Sequence, residues 1–250
     1  MKTLAKLLAV SVLTSIAGTA MAADDAVVQD GYAFERNQLI PTGVRAEVGT
    51  TGYGGALLWT ANPYVGLALG YNGGDISWSD DISVNGSDYD IDMENKNTYL
   101  NAEIRPWGAS ENRWVQGLYM AAGVAYLDNE YELDRRVNAG EGFTINHTDF
   151  VAGPDGAHIR GNMDYKNDIA PYLGFGWAPK INKNWGVFGE VGAYYADNPD
   201  VNLQLVSGGA ADNPTRGSLV DNIAADEAKI ATDDKHKWLP VGKIGVSYHW

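Results

Sequence analysis

The feature that most constrains this chain is a two-residue alternation of apolar with small side chains, sustained over about ten residues. In the segment IAPYLGFGWA, every second residue from Ile169 to Trp177 is apolar, and the residues between them are Ala170, Tyr172, Gly174 and Gly176. A period of two is the pattern of a β-strand, in which successive side chains point to opposite faces. Helical periodicity is nearly absent, and 30 glycines accompany 8 Trp and 14 Tyr. The chain is therefore expected to consist mainly of strands.

The same division occurs in seven further segments, which brings the predicted number of strands to eight. These segments are GVRAEVGT, GYGGALLWT, NPYVGLALGYN, TYLNAEIRPW, WVQGLYMAAGVAYL, NWGVFGEVGAYY and VGKIGVSYHW. The hairpin around Thr50–Gly54 is open to a second interpretation, because GTTGYGG could also be a bend within one longer strand.

Two all-β architectures fit these strands: a soluble sandwich or lipocalin-like barrel with its apolar face inward, or a membrane barrel with that face outward. The opposite face consists mostly of Gly, Ala and Tyr with a few charges, which suits a narrow lumen better than a water-facing surface. The apolar runs have the roughly 9–11 residues that a tilted strand needs to cross the hydrocarbon, and aromatic residues lie at their ends. These observations favour the membrane barrel.

The connections alternate between short and long. Short ones are predicted at 61–63, 108–113 and 179–184, and long ones at 80–87, 134–162 and 207–235. Short periplasmic turns and long outer loops are typical of outer-membrane barrels. The prediction is an all-β, eight-stranded antiparallel transmembrane β-barrel with short periplasmic turns and long extracellular loops.

The domain organisation is expected to be simple. Lys2 and Lys6 precede an apolar run and a small-x-small site at Ala20–Ala22, which predicts a secretory signal peptide over residues 1–22. The apolar run is shorter than the roughly 20 residues of a membrane-spanning helix. No solenoid or propeller period is present, so residues 23–250 are predicted to form one outer-membrane barrel domain.

Composition excludes several classes of function. The formal charge is 18 − 32 = −14, which argues against nucleic acid as a partner. The acidic residues are bunched, as expected for solvated loops or for an anionic collar that attracts cations. The chain has no cysteine, and its four histidines have no metal-ligand spacing, so we expect no disulfide, metal or cofactor. Ser247 and His249 share one strand face, but no acid is identified beside them, so an enzyme is not predicted.

Two regions depart from simple alternation. Along DYDIDMENKNTYLNAEI the apolar residues switch parity between Met93 and Leu100, and we infer that this strand protrudes above the membrane and changes parity near Asn95. In SLVDNIAADEAKIATDD, Leu219, Ile223 and Ile230 follow a candidate cap at Ser218, which is consistent with either a short helix over the barrel mouth or disorder.

The predicted lumen carries most of the chemistry. Seven charged residues and four tyrosines are expected to point inward: Arg45, Glu47, Glu103, Arg105, Asp168, Glu190 and Lys243, with Tyr99, Tyr119, Tyr172 and Tyr194. They could form an ion-pair plug, since an eight-stranded barrel is only just wide enough for side chains to fill. They could instead line a narrow solute path, with room left by small residues such as Gly66, Gly70, Gly123, Gly174 and Gly192.

Several segments resemble a known family. They are YAFERNQLIP, AEVGTTGYGGALLW, NPYVGLALGYNGGDISW, YLNAEIRPWGAS, YKNDIAPYLGFG and APKINKNWGVFGEVGAYY. They resemble the CarO family of carbapenem-associated outer membrane proteins and, more loosely, the OmpW-like barrels. The resemblance implies an eight-stranded barrel of the bacterial outer membrane that takes up small amino acids, basic ones such as ornithine among them, and that is linked to carbapenem entry.

The leading hypothesis is a narrow channel for passive uptake of small solutes, among them glycine, ornithine and carbapenems. The alternative is a closed structural or surface-interaction barrel with acidic extracellular loops and no open pore. Expected partners are outer-membrane lipid, small polar solutes and the outer-membrane assembly machinery, which is predicted to recognise Tyr248 and Trp250 of the last strand. A closed barrel has no free strand edge, so a monomer is expected.

Overall fold

The computed structural model describes residues 40–84 and 87–250, apart from the side chains of residues 76–84 and 166–168. The predicted signal peptide lies outside these residues. The described chain forms ten strands: β1 (Gly43–Gly49), β2 (Gly52–Asn62), β3 (Val65–Val84), β4 (Ser87–Ile104), β5 (Leu118–Val137), β6 (Gly142–Ile145), β7 (Thr148–Trp177), β8 (Trp185–Tyr195), β9 (Asp200–Ala210) and β10 (Trp238–His249). The helices are α1 (Arg113–Gln116), α2 (Leu219–Ile230) and a 3₁₀ helix (Asp234–Lys237).

Eight of these strands close into a ring, as predicted. The antiparallel order is β1, β2, β3, β4, β5, β7, β8 and β10, and β10 pairs again with β1 from Gly43↔His249 to Gly49↔Lys243. The first hairpin is two strands and not one bent strand, because Gly49 pairs with Gly52 across the turn formed by Thr50 and Thr51. Closure of the ring leaves the barrel without an unpaired edge at this level.

The wall of the barrel has two heights. Strands β3, β4, β5 and β7 have 18 to 30 residues, whereas β1, β2, β8 and β10 have 7 to 12. The four long strands extend beyond the short ones at the end opposite to Trp250, which we call the upper end. There β9 pairs with β7 from Asp164↔Asp200 upward, and β6 forms a hairpin with the start of β7.

This extension corrects the predicted long loops. Residues 80–87 belong largely to the β3–β4 hairpin, and residues 134–162 contain the end of β5, the whole of β6 and the first half of β7. Strand β9 was not predicted. In β6, β9 and the described side chains of the first half of β7, apolar residues such as Phe143, Ile159 and Leu203 face inward, so a search for outward apolar faces does not detect these strands.

The predicted change of parity near Asn95 is wrong. In β4 the odd-numbered residues from Ser87 to Glu103 all face inward, and the β4–β5 register is continuous from Asp90↔Asp134 to Ile104↔Met120. What changes is the surroundings of the strand. Its lower part presents Leu100 outward, and its upper part presents Asp92 outward.

The interior contains two cores. The lower core, inside the ring, is built from small residues and from the tyrosines of the predicted lumen. The upper core is apolar and includes Ile91, Leu133, Ile159 and the inner face of α2. Of the two alternatives for the segment after Ser218, the structure has the helix: Ser218 caps α2, and its side chain and that of Asp221 form a reciprocal capping box. No helix within the described residues is long and apolar enough to span a membrane.

Candidate functional site

The lower end of the lumen holds a carboxylate shared by two guanidinium groups. Glu103, near the end of β4, accepts a hydrogen bond from Arg45 Nη2 at 2.7 Å and another from Arg105 Nη2 at 2.5 Å, one on each of its oxygens. The side chains of Arg45 and Glu103 are 2% and 4% exposed, while that of Arg105 is 19% exposed. The Arg45 guanidinium also lies over the Phe188 ring, 4.2 Å from its centroid.

A second group of charges lies higher in the lumen, around Lys243. Lys243 Nζ is 3.2 Å from Glu190 Oε1 and 3.8 Å from Glu47 Oε1, and it lies 4.1 Å from the centroid of the Tyr99 ring. Tyrosine hydroxyls complete the carboxylate partners: Tyr99 donates to Glu47, and Tyr119 and Tyr172 each donate to Glu190, all at 2.7 Å. Tyr194 packs against Tyr172 with ring centroids 4.8 Å apart.

The structure therefore places ten of the eleven predicted lumen residues inside the ring. The side chain of Asp168 lies outside the described residues. The six described charges are three cations and three carboxylates in two ion-paired groups, Arg45–Glu103–Arg105 below and Glu47–Lys243–Glu190 above, and we call the two groups together the lumen network. A buried charge is tolerated when it is paired, and each of these six has a partner of opposite charge, although Lys243 Nζ and Glu47 Oε2 have no hydrogen-bond partner among the described residues.

Tyrosine rings occupy the space beside several glycines of the lumen. A Cβ at Gly70 would collide with the Tyr99 ring, and one at Gly192 would collide with the Tyr172 ring. Gly176 lies in the same way beneath the Tyr119 ring. Tyrosine rings therefore fill the space beside these glycines, whereas Gly66 lies beside Arg105 and Gly123 beside Asn101, and the thin passage stays a prediction.

A band of buried asparagines separates the lumen network from the upper core. Asn72, Asn95, Asn97 and Asn129 are at most 3% exposed. The Asn97 amide and one amide atom each of Asn72 and Asn95 have no hydrogen-bond partner among the described residues. The band is therefore a polar layer between the lumen network below it and the apolar upper core above it.

The upper core is closed by α2. Asp226 of α2 is fully buried, and its Oδ2 accepts hydrogen bonds from Ser87 Oγ at 2.8 Å and Tyr89 Oη at 3.2 Å. Burial, reinforced by the Asp226 carboxylate, raises the pKa of Tyr89 well above its ordinary value, so this phenol remains a donor. The sequence pattern did not single out Asp226, because a lone acidic residue on a polar helix resembles a solvated one.

The lower mouth of the barrel contains an open cavity of about 270 Å³, which we call the vestibule. Its floor includes Arg45, Glu103 and Arg105, and its walls come from the connections around α1 and before β8. Ser247 and His249 also line it, and His249 Nε2 lies 3.2 Å from Ser247 Oγ. Among the described residues no group of three or more acidic or histidine side chains could hold a metal ion.

The outer surface of the ring carries an apolar band between two levels of aromatic residues. Leu100, Val124 and Leu173 are exposed in the middle of the band. The upper aromatic level includes Tyr195 and Trp238, whose ring centroids are 4.9 Å apart. The lower level includes Tyr64, Trp107, Trp114, Trp177 and Trp250, and Trp114 stacks on Trp177 at 5.6 Å. Such a band is the lipid-facing surface of a membrane barrel.

Two crystal structures from Acinetobacter baumannii are similar to the chain. The CarO structure is 70% identical, covers 86% of this chain and 100% of its own, and superposes with a TM-score of 0.76. The CarO2 structure is 62% identical with the same coverage and a TM-score of 0.75. A 24-residue sequence from a "29 kDa outer membrane protein" of the same organism is 71% identical over 10% of this chain. No family model matches the chain.

The closed ring, its outward apolar band and these relatives define an outer-membrane β-barrel protein located in the bacterial outer membrane. The short connections of such barrels mark the periplasmic end, so the vestibule opens toward the periplasm and the upper core is extracellular. With 70% and 62% identity over the whole of both structures, the chain belongs to the CarO family. The looser likeness to OmpW-like barrels stays a prediction.

Proposed function

We propose that the protein is a closed barrel of the outer membrane, which anchors an extracellular β-structure and makes its contacts at the cell surface. The observation that carries this proposal is the double obstruction of the lumen. At membrane level, five of the six charged side chains of the lumen network are 0–4% exposed. Above them, Leu133 and Ile159 of the upper core are at most 1% exposed.

The energetic cost of opening supports the same proposal. A solute in transit has to separate buried ion pairs, and removing one partner of such a pair costs about 3–5 kcal/mol. It then has to displace packed apolar side chains, and native cores contain few voids larger than a water molecule. Tyrosine rings additionally occupy the space beside Gly70 and Gly192. A lumen of this kind is closed in its resting state.

The second candidate is the narrow channel for passive uptake of glycine, ornithine and other small solutes, carbapenems included. Two observations favour it. The vestibule is an open cavity at the lower mouth, and its lining reaches Glu103 and Arg105. The asparagine band offers amide groups with unused hydrogen-bonding capacity, and these are suitable partners for water.

Swelling of liposomes that carry the refolded protein separates the two candidates. Glycine, ornithine, glutamate and a carbapenem serve as separate osmolytes, with empty liposomes as the reference. The closed barrel predicts no swelling above the reference with any of them. Swelling with glycine or ornithine would contradict it and support the channel.

Variants of the lumen network give a second test of the two candidates, which compares solute flux and stability between variants and so does not depend on detecting a small flux through the wild type. Glu103→Ala leaves the buried Arg45 without its carboxylate, so the closed barrel loses about 3–5 kcal/mol of stability while solute flux stays at the level of empty liposomes. Arg105→Ala is expected to lower the stability by a smaller amount, again without a change in solute flux. Glu132→Ala, on the water-facing surface, is the control for both. A change in flux with Glu103→Ala or Arg105→Ala, but not with Glu132→Ala, would favour the channel.

A further inference from the structure

We infer that the vestibule is a binding site for a small organic solute that carries a carboxylate group. The site is distinct from the proposed surface function, because it opens to the periplasm on the far side of the lumen network. The inference does not depend on whether solutes pass through the lumen, because a ligand from the periplasm reaches the vestibule without passing Glu47, Glu190 and Lys243. The argument rests on the charge, the donors and the shape of this cavity.

The charge of the vestibule is positive although that of the chain is negative. Its cationic lining residues are Arg45, Arg105, Arg113 and Lys180, and its carboxylates are Glu103 and Glu111, so the formal excess is 4 − 2 = +2. At the floor, Glu103 uses one oxygen for each of the two guanidinium groups. The +1 of these three groups is balanced by the −1 of Glu47, Glu190 and Lys243 higher in the lumen, so the excess that favours an anionic ligand comes from Arg113 and Lys180 against Glu111 nearer the mouth.

The vestibule also presents a guanidinium group that a ligand can reach. Arg105 lines the cavity and its side chain is 19% exposed, whereas Arg45 lies deeper and is 4% exposed. A carboxylate only accepts hydrogen bonds and has about four lone-pair sites. It therefore matches an accessible guanidinium group, and hydrogen bonds between ionised partners are the strong ones.

The shape of the cavity limits the size of the ligand. Gly66 forms part of its wall, and a Cβ there would lie 3.0 Å from Arg105 Nη1 and 3.3 Å from the Trp59 carbonyl oxygen. The glycine thus keeps the edge of the Arg105 guanidinium accessible. A volume of about 270 Å³ lies just below the range of typical ligand pockets, which span roughly 300–1,000 Å³. A short dicarboxylate or an amino acid has the matching size.

Calorimetric titration of the full-length protein in detergent tests this assignment, with succinate as the probe and succinamide as its uncharged analogue. Succinate is expected to bind, and succinamide to bind at least about 10-fold more weakly, because it cannot form charge-assisted hydrogen bonds. Arg105→Gln is expected to weaken succinate binding by a similar factor. Lys237→Gln, which removes one positive charge from the extracellular side, is the matched control and should leave the affinity unchanged.

Folding of each variant is checked by the heat-dependent shift of its gel mobility. If Arg105→Gln does not fold, Lys180→Gln at the half-buried rim removes a cation without disturbing the lumen network, and a loss of a few-fold is expected. The assignment is overturned if succinate gives no binding heat, if succinamide binds equally well, or if the folded Arg105 and Lys180 variants bind like the wild type. Each of these results would mean that the vestibule holds water only. Liposome swelling does not depend on this titration, so the two proposals fail separately.

Discussion

The membrane-level part of the barrel and its extracellular continuation are built from the same strands and are opposite in composition. In the ring, β4 and β5 present Leu100 and Val124 outward and enclose Glu103 and Tyr119. Above the ring, the same strands present acidic residues outward and enclose Ile91 and Leu133. The inward face is nevertheless continuous along both strands.

This difference shows that alternation identifies a strand but does not identify its buried face. The hydrophobic effect drives apolar side chains away from water, and on the outer face of the ring the lipid has replaced the water. The boundary between the lipid-facing and the water-facing parts of the outer surface, which we call the border, lies where the outward residues become charged. Just above it, five carboxylates align across five strands. They are Asp75, Glu94, Glu130, Asp164 and Asp200. Like charges in such register are destabilising unless solvated, so this row lies above the hydrocarbon.

The largest expected effect comes from a charge in the upper core. Ile159→Asp buries a carboxylate at a position that is 0% exposed, and we expect the extracellular part to lose about 4–5 kcal/mol while the ring remains folded. Proteolysis of the extracellular segments, read beside the heat-dependent gel shift of the ring, separates the two effects. Val206→Asp, at a residue that is 56% exposed, is the control. If Ile159→Asp abolishes both the gel shift and the protease resistance, the ring and the extracellular part unfold as one cooperative unit.

The next effect compares two outward positions on neighbouring strands. Leu173→Arg places a charge near the middle of the apolar band and is expected to cost about 2–4 kcal/mol, because the lipid cannot solvate it. Glu132→Arg faces outward above the border, and its expected effect is within about 0.5 kcal/mol. Urea unfolding in lipid bilayers measures both. Equal destabilisation by the two variants would contradict the position of the border.

A smaller effect is expected where α2 is attached to the upper core. Asp226→Ala removes the acceptor of Ser87 and Tyr89, and hydrogen bonds to a charged group contribute about 1.5–3 kcal/mol. Faster hydrogen exchange confined to α2 is the expected result. Ala224→Ser, on the exposed face of the same helix, is the control. Unchanged exchange in Asp226→Ala would show that apolar contacts alone hold the helix.

The smallest effect is a pH dependence on the outer surface above the border. Asp134 is bonded to His158 at 2.9 Å and to Arg160 at 3.1 Å. Although burial opposes the shift, these hydrogen bonds lower the pKa of Asp134 below its ordinary value of 3.8. The stabilisation is therefore complete above that value and is lost as the pH falls through the lowered pKa. Thermal unfolding of wild type and Asp134→Asn should differ at pH 7 and converge in strong acid. A constant difference would contradict this account.

Most of the membrane-level fold follows from the sequence because lipid imposes a strict pattern on it. Each strand of the ring shows outward apolar residues with period two, and the inward positions of Arg45, Glu190 and Lys243 follow directly from parity. The role of these residues as a solute path stays a prediction. Tyr248 faces outward beside Trp185, and the proposed recognition of this strand during assembly also remains a prediction.

The parts that could not be predicted depend on contacts between distant residues. The upper core was missed because Ile159 and Leu203 lie in segments whose outward residues are polar, so these segments resemble loops. An ion-pair plug was one of the two predicted alternatives for the lumen, but its detail was not predictable, because parity states that Tyr99 points inward and not that its ring covers Gly70. Phe188 was not assigned to the lumen, although it lies two residues before Glu190 and shares its parity.

The most direct test of the central claim, a continuous inward face that is closed at every level, is single-cysteine labelling along β4. The chain has no cysteine of its own, so each position from Asp90 to Ala102 can be probed alone in bilayers with a membrane-impermeant thiol reagent. We predict that the outward positions Asp90, Asp92, Glu94 and Lys96 react, that Thr98, Leu100 and Ala102 are shielded by lipid, and that every inward position is unreactive. Labelling at Asn97 or Asn101 would reveal a wet lumen and contradict the closed barrel.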